Sequence, residues 1–397
     1  MKALYGFLAL MLSAGALAAG ELAVADFANP ANWRIGGARA TKDGPLVDGK
    51  LKVNGGGSKN TCVLNLATYP LGGIANMEKI YTGIAFKVKG DGSDEWGAIS
   101  IQAGPRDGGK FYFPLKNKEV VEYRVAFSDM APNGDNTCLP AAKIAAKEIT
   151  GFLVGDRWSI GQNNYKRPAF SYEVSDLRLI DDVQGKFTPG KFRPAPIGGV
   201  IAKMKAKQPV LILCVGDSIT AGTSLRDREK DRYATVLQAL LRKQYGYDGI
   251  TVRSVAVGGG HTHDSIAWLD RDMAQGKPDA ATMLIGFNNR SAAQTREVYA
   301  EQLARWIEMF AMKTGGKAGV VLIPSVQGVP RFFSQQDMAD ATYEVGKTYG
   351  IPVAPLDKAI SKIGPVEYRK TYLADGVHPN PEGHKLFAEV LLKSFVK

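Results

Sequence analysis

The chain has 397 residues, more than one hydrophobic core usually organises, so two domains are expected. Its 45% apolar and 22% charged residues exclude a disordered or collagen-like chain. The formal charge of +11 suits acidic partners such as uronate-bearing glycans, nucleic acid or an anionic surface. The lysines and arginines are scattered without a dense basic run, so no nucleic-acid partner is assigned.

The start of the chain reads as an export signal over residues 1–19. Lys2 supplies the positive charge, Leu4 to Leu17 is apolar, and Ala16-Leu17-Ala18 ends the run on small residues. This run is too short for a membrane span, and no second one of spanning length follows. A secreted or periplasmic location is the expectation. No cysteine follows the signal, which argues against a lipid anchor. Of the three cysteines, Cys62 and Cys138 are a candidate disulfide, with three free thiols the equal alternative, and Cys214 lies inside an apolar run.

Residues 20–182 have the period of strands. Ile84, Phe86 and Val88 alternate with Ala85, Lys87 and Lys89, and Val121, Tyr123, Val125 and Phe127 repeat the pattern. The turn-rich run Gly90 to Asp94 predicts a hairpin joining the first of these to residues 97–102. Further strands are predicted at 111–115, 149–154 and 171–180. Together they predict an all-β jelly roll or sandwich. The run Asp91 to Glu95 offers oxygen ligands for calcium, but such spacing fits many turns and a solvated hairpin turn is the preferred reading. Residues 183–208, with GKFTPGKFRPAPIGG, read as a linker.

From residue 209 the rhythm becomes strand, helix, strand. PVLILCV, TVRSVAV, ATMLIG and AGVVLIP are continuous apolar runs of the kind parallel strands need when both faces are buried. One intervening helix presents Tyr233, Val236, Leu237, Leu240 and Leu241 on one face, and another carries Val298, Tyr299, Leu303, Trp306, Ile307 and Phe310. Asn380 and Pro381 open a last helix. The fold class is α/β, a three-layer doubly wound parallel sheet over 209–397, preceded by the all-β domain.

Ligands in such sheets bind beyond the carboxyl ends of the strands. Those ends carry GDSIT (216–220), GGGH (258–261), GFNN (286–289) and, late in the chain, DGVHP (375–379). Ser218 supplies a nucleophile, His378 a base, and Asp375, three residues earlier, a group to orient it. These four blocks, in this order, resemble the SGNH or GDSL family of serine esterases and lipases. The resemblance implies a flavodoxin-like sheet and an oxyanion hole made by the Ser218 and Gly259 backbone N–H groups and the Asn288 side chain. It implies no cofactor.

Two positions depart from the family pattern: Asn289 stands where an aspartate is common, and Ser254 where an asparagine is. Thr220 stands at the second glycine of GxSxG, so the nucleophile elbow of the α/β-hydrolases is not matched. His261 and His263 suggest a metal nest, but four histidines are too few to complete one, so no metal is assigned. They read as polar residues at a helix start, or as lining for the substrate.

The first half resembles the jelly-roll carbohydrate-binding modules of secreted glycan enzymes, which makes Trp96, Trp158 and Tyr165 candidate sugar-stacking residues, with burial in core or turns as the other reading. The expected activity is removal of O-acetyl or other short acyl groups from a glycan or polysaccharide, with acidic glycans included. Alternatives are a lipase or thioesterase for longer chains and a non-catalytic glycan-binding protein.

Overall fold

The computed structural model describes residues 20–23, 34–35, 38–39, 46–47, 50–57, 65–67, 78–103, 108–136, 141–155, 167–328 and 335–396. The expected signal peptide, Cys62, Cys138, Trp158 and Tyr165 lie outside them.

Two antiparallel sheets form the first half. One runs Val120–Ala126, Gly83–Lys89, Arg167–Ile180, Lys50–Gly57, Leu46–Val47, with Leu22–Ala23 also on the long Arg167–Ile180 strand. The other is centred on Trp96–Ala103, flanked by Gly109–Pro114 and Ile149–Val154. Ile84, Phe86 and Val88 of the first sheet and Ile99 and Ile101 of the second meet in a buried core with Phe113, Phe152 and Val174.

The predicted hairpin at residues 90–94 is instead an arch between the sheets. Gly83–Lys89 pairs with Val120–Ala126 and Arg167–Ile180, whereas Trp96–Ala103 pairs with Gly109–Pro114 and Ile149–Val154. The backbone hydrogen bonds of the turn go to the 115–117 segment: Gly92 donates to Leu115 O (3.0 Å) and Gly90 to Asn117 O (2.9 Å). The Asp91 carboxylate accepts from the backbone N–H groups of Ser93 (2.9 Å) and Ser171 (2.8 Å), the work of a turn-former.

The second half has a four-stranded parallel sheet in the order Ile250–Ser254, Val210–Gly216, Ala280–Leu284, Gly319–Ile323, with isolated parallel bridges from the last strand to Ala195 and Val353. Ile212 faces Val252 on one side and Ala280 on the other, so this strand is interior and all its residues but the half-buried Leu211 are buried. Helix Tyr233–Tyr245 and helix Pro381–Leu392 cover one face, and helix Arg296–Thr314 covers the other. No helix among the described residues is long and apolar enough to cross a membrane.

The stretch read as a linker is welded to both halves. Ile197–Lys205 is a helix whose Val200, Ile201 and Met204 enter the α/β core. Before it, the Asp129 carboxylate accepts the backbone N–H of Phe187 (2.8 Å), and Glu308 accepts that of Gly190 (2.8 Å). Proline and glycine content suggested a free segment, but the apolar spacing of Ile197, Val200, Ile201 and Met204 is that of a helix face.

The sandwich packs on the α/β half with its second sheet. Ala98 and Tyr112 alternate away from the sandwich core and join Val257 and Trp268 in a separate buried cluster. This is why that sheet is apolar on both faces. Arg305, on helix Arg296–Thr314, is 3% exposed; it donates to the carbonyls of Ser128 and Met130, the latter at 2.8 Å, and lies 4.0 Å over the Phe187 ring. Burial lowers its pKa to about 10. Arg305→Ala removes the donor of the buried Met130 carbonyl and of the half-buried Ser128 carbonyl and is expected to cost on the order of 2–3 kcal/mol. Calorimetry should show a fall of several degrees in the thermal midpoint, and an unchanged melt would contradict this account of the interface.

Candidate active site

The first two strands to diverge at the sheet centre, Val210–Gly216 and Ala280–Leu284, are neighbours whose chains leave in different directions, which opens the crevice typical of this strand order. Gly216 ends the first. A Cβ there would lie 2.2 Å from the Thr220 hydroxyl and 2.4 Å from the Leu284 carbonyl, so the tight passage requires glycine. Asp217 caps the four-residue helix Ser218–Ala221, accepting the Ile219 N–H at 2.9 Å, and Ser218 stands at its first position.

Asp375 and His378 lie on the turn between helix Pro365–Tyr372 and helix Pro381–Leu392, closed by an antiparallel bridge between Leu373 and Pro379. The short strand expected before Asp375 is only this bridge. The structure brings the three predicted residues together. His378 Nε2 is 2.9 Å from Ser218 Oγ, and His378 Nδ1 is 2.8 Å from Asp375 Oδ2. Asp375 Oδ1 accepts the backbone N–H groups of Val377 (3.0 Å) and His378 (2.8 Å), and Ser224 donates to Oδ2 at 3.1 Å. Partial burial opposes the Asp375 charge, but these donors and the imidazole outweigh it and hold the carboxyl at about 2. Ser224 was not visible as a site residue in the sequence, since only the fold carries it to Asp375.

Gly259 takes φ +73°, a left-handed conformation that glycine adopts freely, in the turn after strand Ile250–Ser254. Asn288 sits in the short helix after Ala280–Leu284; its amide donates to Gly260 O at 3.1 Å and to Asp217 Oδ2 at 3.3 Å. Asp217, read only as part of a motif, thus links the serine turn to the asparagine. It is 1% exposed, and burial raises its carboxyl to about 6, against the hydrogen bond from Ile219 and the nearby histidines.

The departures from the motif pattern have local uses. Asn289, fully buried, donates to Gln294 (2.7 Å); Gln294 donates to Gln302 (3.0 Å), and Gln302 to the Gly134 carbonyl of the sandwich (3.0 Å). Ser254 donates to Thr220 O at 3.4 Å. Thr220 accepts from the Tyr233 hydroxyl at 3.2 Å. His384 is a core residue that accepts the Tyr233 N–H at 3.2 Å, and burial lowers its pKa to about 3. Cys214 is a buried free thiol, pushed up to about 11.

His261 caps helix Thr262–Ala267, and His263 is buried in its first turn. The sandwich adds two partners that spacing along the chain could not supply. Lys110 makes a buried ion pair with Asp264 (3.2 Å), and Asp135 Oδ1 lies 3.8 Å from His261 Nδ1 and 3.7 Å from His263 Nδ1. Burial disfavours charge on His261, but Asp264 and Asp135 hold its pKa above the ordinary value. Trp96 packs, half-buried, against the Tyr112–Trp268 cluster at the domain contact.

Residues 214–386 match the model of the GDSL-like lipase/acylhydrolase family. This part of the chain is a GDSL hydrolase domain. An acetylxylan esterase of Xylanibacter ruminicola is 24% identical over 209 residues, 46% of this chain, and the chain spans only 42% of that protein's length. Among solved structures, a lipase/acylhydrolase from Enterococcus faecalis is 23% identical, with a TM-score of 0.41 over 47% of this chain and 95% of its own. An acetylxylan esterase from Geobacillus stearothermophilus is 21% identical, with a TM-score of 0.40 over 47% and 94%.

Because Asp217 sits at about 6 rather than 3.8, the GDSL domain binds its proton more tightly than the unfolded chain does between these values. Stability from this group therefore falls as pH rises through that window, by on the order of 2–3 kcal/mol. In Asp217→Asn the group cannot titrate. Urea unfolding at pH 4.5 and 7.5 should show the variant gaining on wild type at the higher pH; an equal difference at both would contradict a buried, ionising Asp217.

Proposed function

We propose that the chain is an exported serine esterase that removes O-acetyl or similarly short acyl groups from a glycan. The observation that carries this reading is the continuous contact from the Ser218 hydroxyl through His378 to Asp375, at 2.9 and 2.8 Å. Ser218 Oγ attacks the acyl carbon while His378 Nε2 takes its proton. Asp375 holds Nδ1–H and stabilises the imidazolium, and its low pKa keeps it ionised throughout the neutral range. The tetrahedral intermediate expels the sugar oxygen, which leaves as an alcohol with the proton from Nε2. Water, deprotonated by the same nitrogen, then releases the acid from Ser218.

The negative oxygen of the intermediate is received by the backbone N–H groups of Ser218 and Gly259 and by the Asn288 amide. In the free site the Asn288 amide makes a long 3.3 Å contact to Asp217 and a 3.1 Å contact to Gly260 O. The longer one is the weaker, and a developing oxyanion competes for that proton. A glycan acetyl ester as substrate rests on the likeness to the acetylxylan esterase of Xylanibacter ruminicola. Export rests on the signal-like residues 1–19. Acidic polysaccharides are included because of the +11 charge.

Ser218→Ala is expected to lower acetate release by on the order of 10⁴-fold or more. Asn288→Ala is expected to lower kcat by about 10²–10³-fold with little change in KM. The assay compares acetylated xylan with chromogenic acetyl and octanoyl esters. Equal rates for wild type and Ser218→Ala would remove the esterase reading in favour of a glycan-binding protein, and faster octanoate release would make the chain a lipase.

A further inference from the structure

His261 and His263 come from the helix start after the glycine loop, and Asp135 comes from a loop of the sandwich. One ligand atom from each lies within 4.8 Å of the other two. The imidazoles are nearly parallel, at 13° and 5.5 Å between centroids, and both turn Nδ1 toward the same carboxylate oxygen. Separations of 3.7 and 3.8 Å are too long for hydrogen bonds. They lie within a few tenths of an ångström of the spacing around an ion with bonds of about 2.0–2.1 Å.

We propose that Asp135, His261 and His263 bind a divalent transition cation of the zinc class across the contact between the two domains. The surroundings suit a metal. The far ring nitrogen of His263, Nε2, lies 3.4 Å from Asp264 Oδ1, the carboxylate–histidine arrangement that orients a metal-binding imidazole through its other nitrogen. Asp135 Oδ1 is buried and accepts no hydrogen bond from the described residues, a penalty that a bound cation relieves. The Gln302 and Gln294 amides donate to the backbone carbonyls of Gly134 and Asp135, so the hydrolase half holds the backbone that carries this carboxylate. Two neutral imidazoles and one carboxylate favour zinc, cobalt or nickel over calcium or magnesium. The fourth position is left to water. Because His261 follows Gly260 directly, the ion fastens the glycine loop to the sandwich.

The test uses the full chain stripped with a chelator and dialysed. Zinc titration by calorimetry should give one site per chain, and zinc should raise the thermal midpoint. Asp135→Asn, close to isosteric, should weaken binding by about 100-fold or more. Cobalt(II) on the wild-type chain should give the intense visible bands of a four-coordinate site, a readout that needs no variant to fold. The proposal is overturned by absence of one-to-one zinc binding, by equal affinity in wild type and Asp135→Asn, or by only the faint spectrum of six-coordinate cobalt. None of these readouts depends on esterase activity.

Discussion

A carboxylate with nowhere to be hydrated fixes the geometry of the candidate site. Asp217 has a single exit from its buried position, which is to be hydrogen-bonded, and its two oxygens take N–H donors from different elements. Oδ1 takes the Ile219 N–H and so sets the pitch of the turn that carries Ser218; Oδ2 takes the Asn288 amide from the neighbouring strand end. Separating these donors leaves a charge in an apolar interior, so the serine turn and the asparagine helix move together or not at all. The raised pKa of Asp217 is the energetic cost of holding them so. Gly216 supplies the other half of the constraint, since any side chain there would push the Thr220 hydroxyl and the Leu284 carbonyl apart.

The sandwich belongs to the same mechanical unit. The chain of side-chain amides from Asn289 through Gln294 and Gln302 ends on the carbonyl of Gly134, and the Lys110–Asp264 pair joins a sandwich strand to the helix behind the glycine loop. Breaking that pair strands a buried charge, which is costlier than the pair is worth when intact. The covered outer face of the second sheet adds apolar contact through Tyr112 and Trp268. A domain held by charge, amide and apolar contacts at once does not swing as a tethered module does, and the helix Ile197–Lys205 inside the connecting stretch removes the slack a tether needs.

The parallel sheet and its motifs were legible because each rests on local pattern: apolar runs for buried strands, and chemistry at their ends. Asp375 and His378 are three residues apart, so their mutual geometry is nearly written in the turn. What the sequence could not convey is pairing at long range. Gly83–Lys89 and Trp96–Ala103 have the alternation of hairpin partners, and whether such strands pair or face each other across a core depends on the hydrogen bonds of residues 115–117. The histidine pair looked short of ligands because Asp135 is 126 residues away from His261 along the chain and arrives only through domain docking. Proline and glycine in residues 183–208 masked a helix face of four apolar residues.

The division of labour between near and far residues bears on how the candidate triad tolerates change. Orienter and base share one turn, with Asp375 accepting two backbone N–H groups besides the imidazole, so the ring is oriented before the serine approaches. Ser218 comes from 160 residues away and meets that ring through the packing of the whole α/β core. Loosening of the core therefore acts first on the 2.9 Å contact between hydroxyl and imidazole, and last on the 2.8 Å contact between imidazole and carboxylate. A geometry of this kind loses proton transfer before it loses the ionised form of its acid, because the groups that keep Asp375 charged are its own neighbours in sequence.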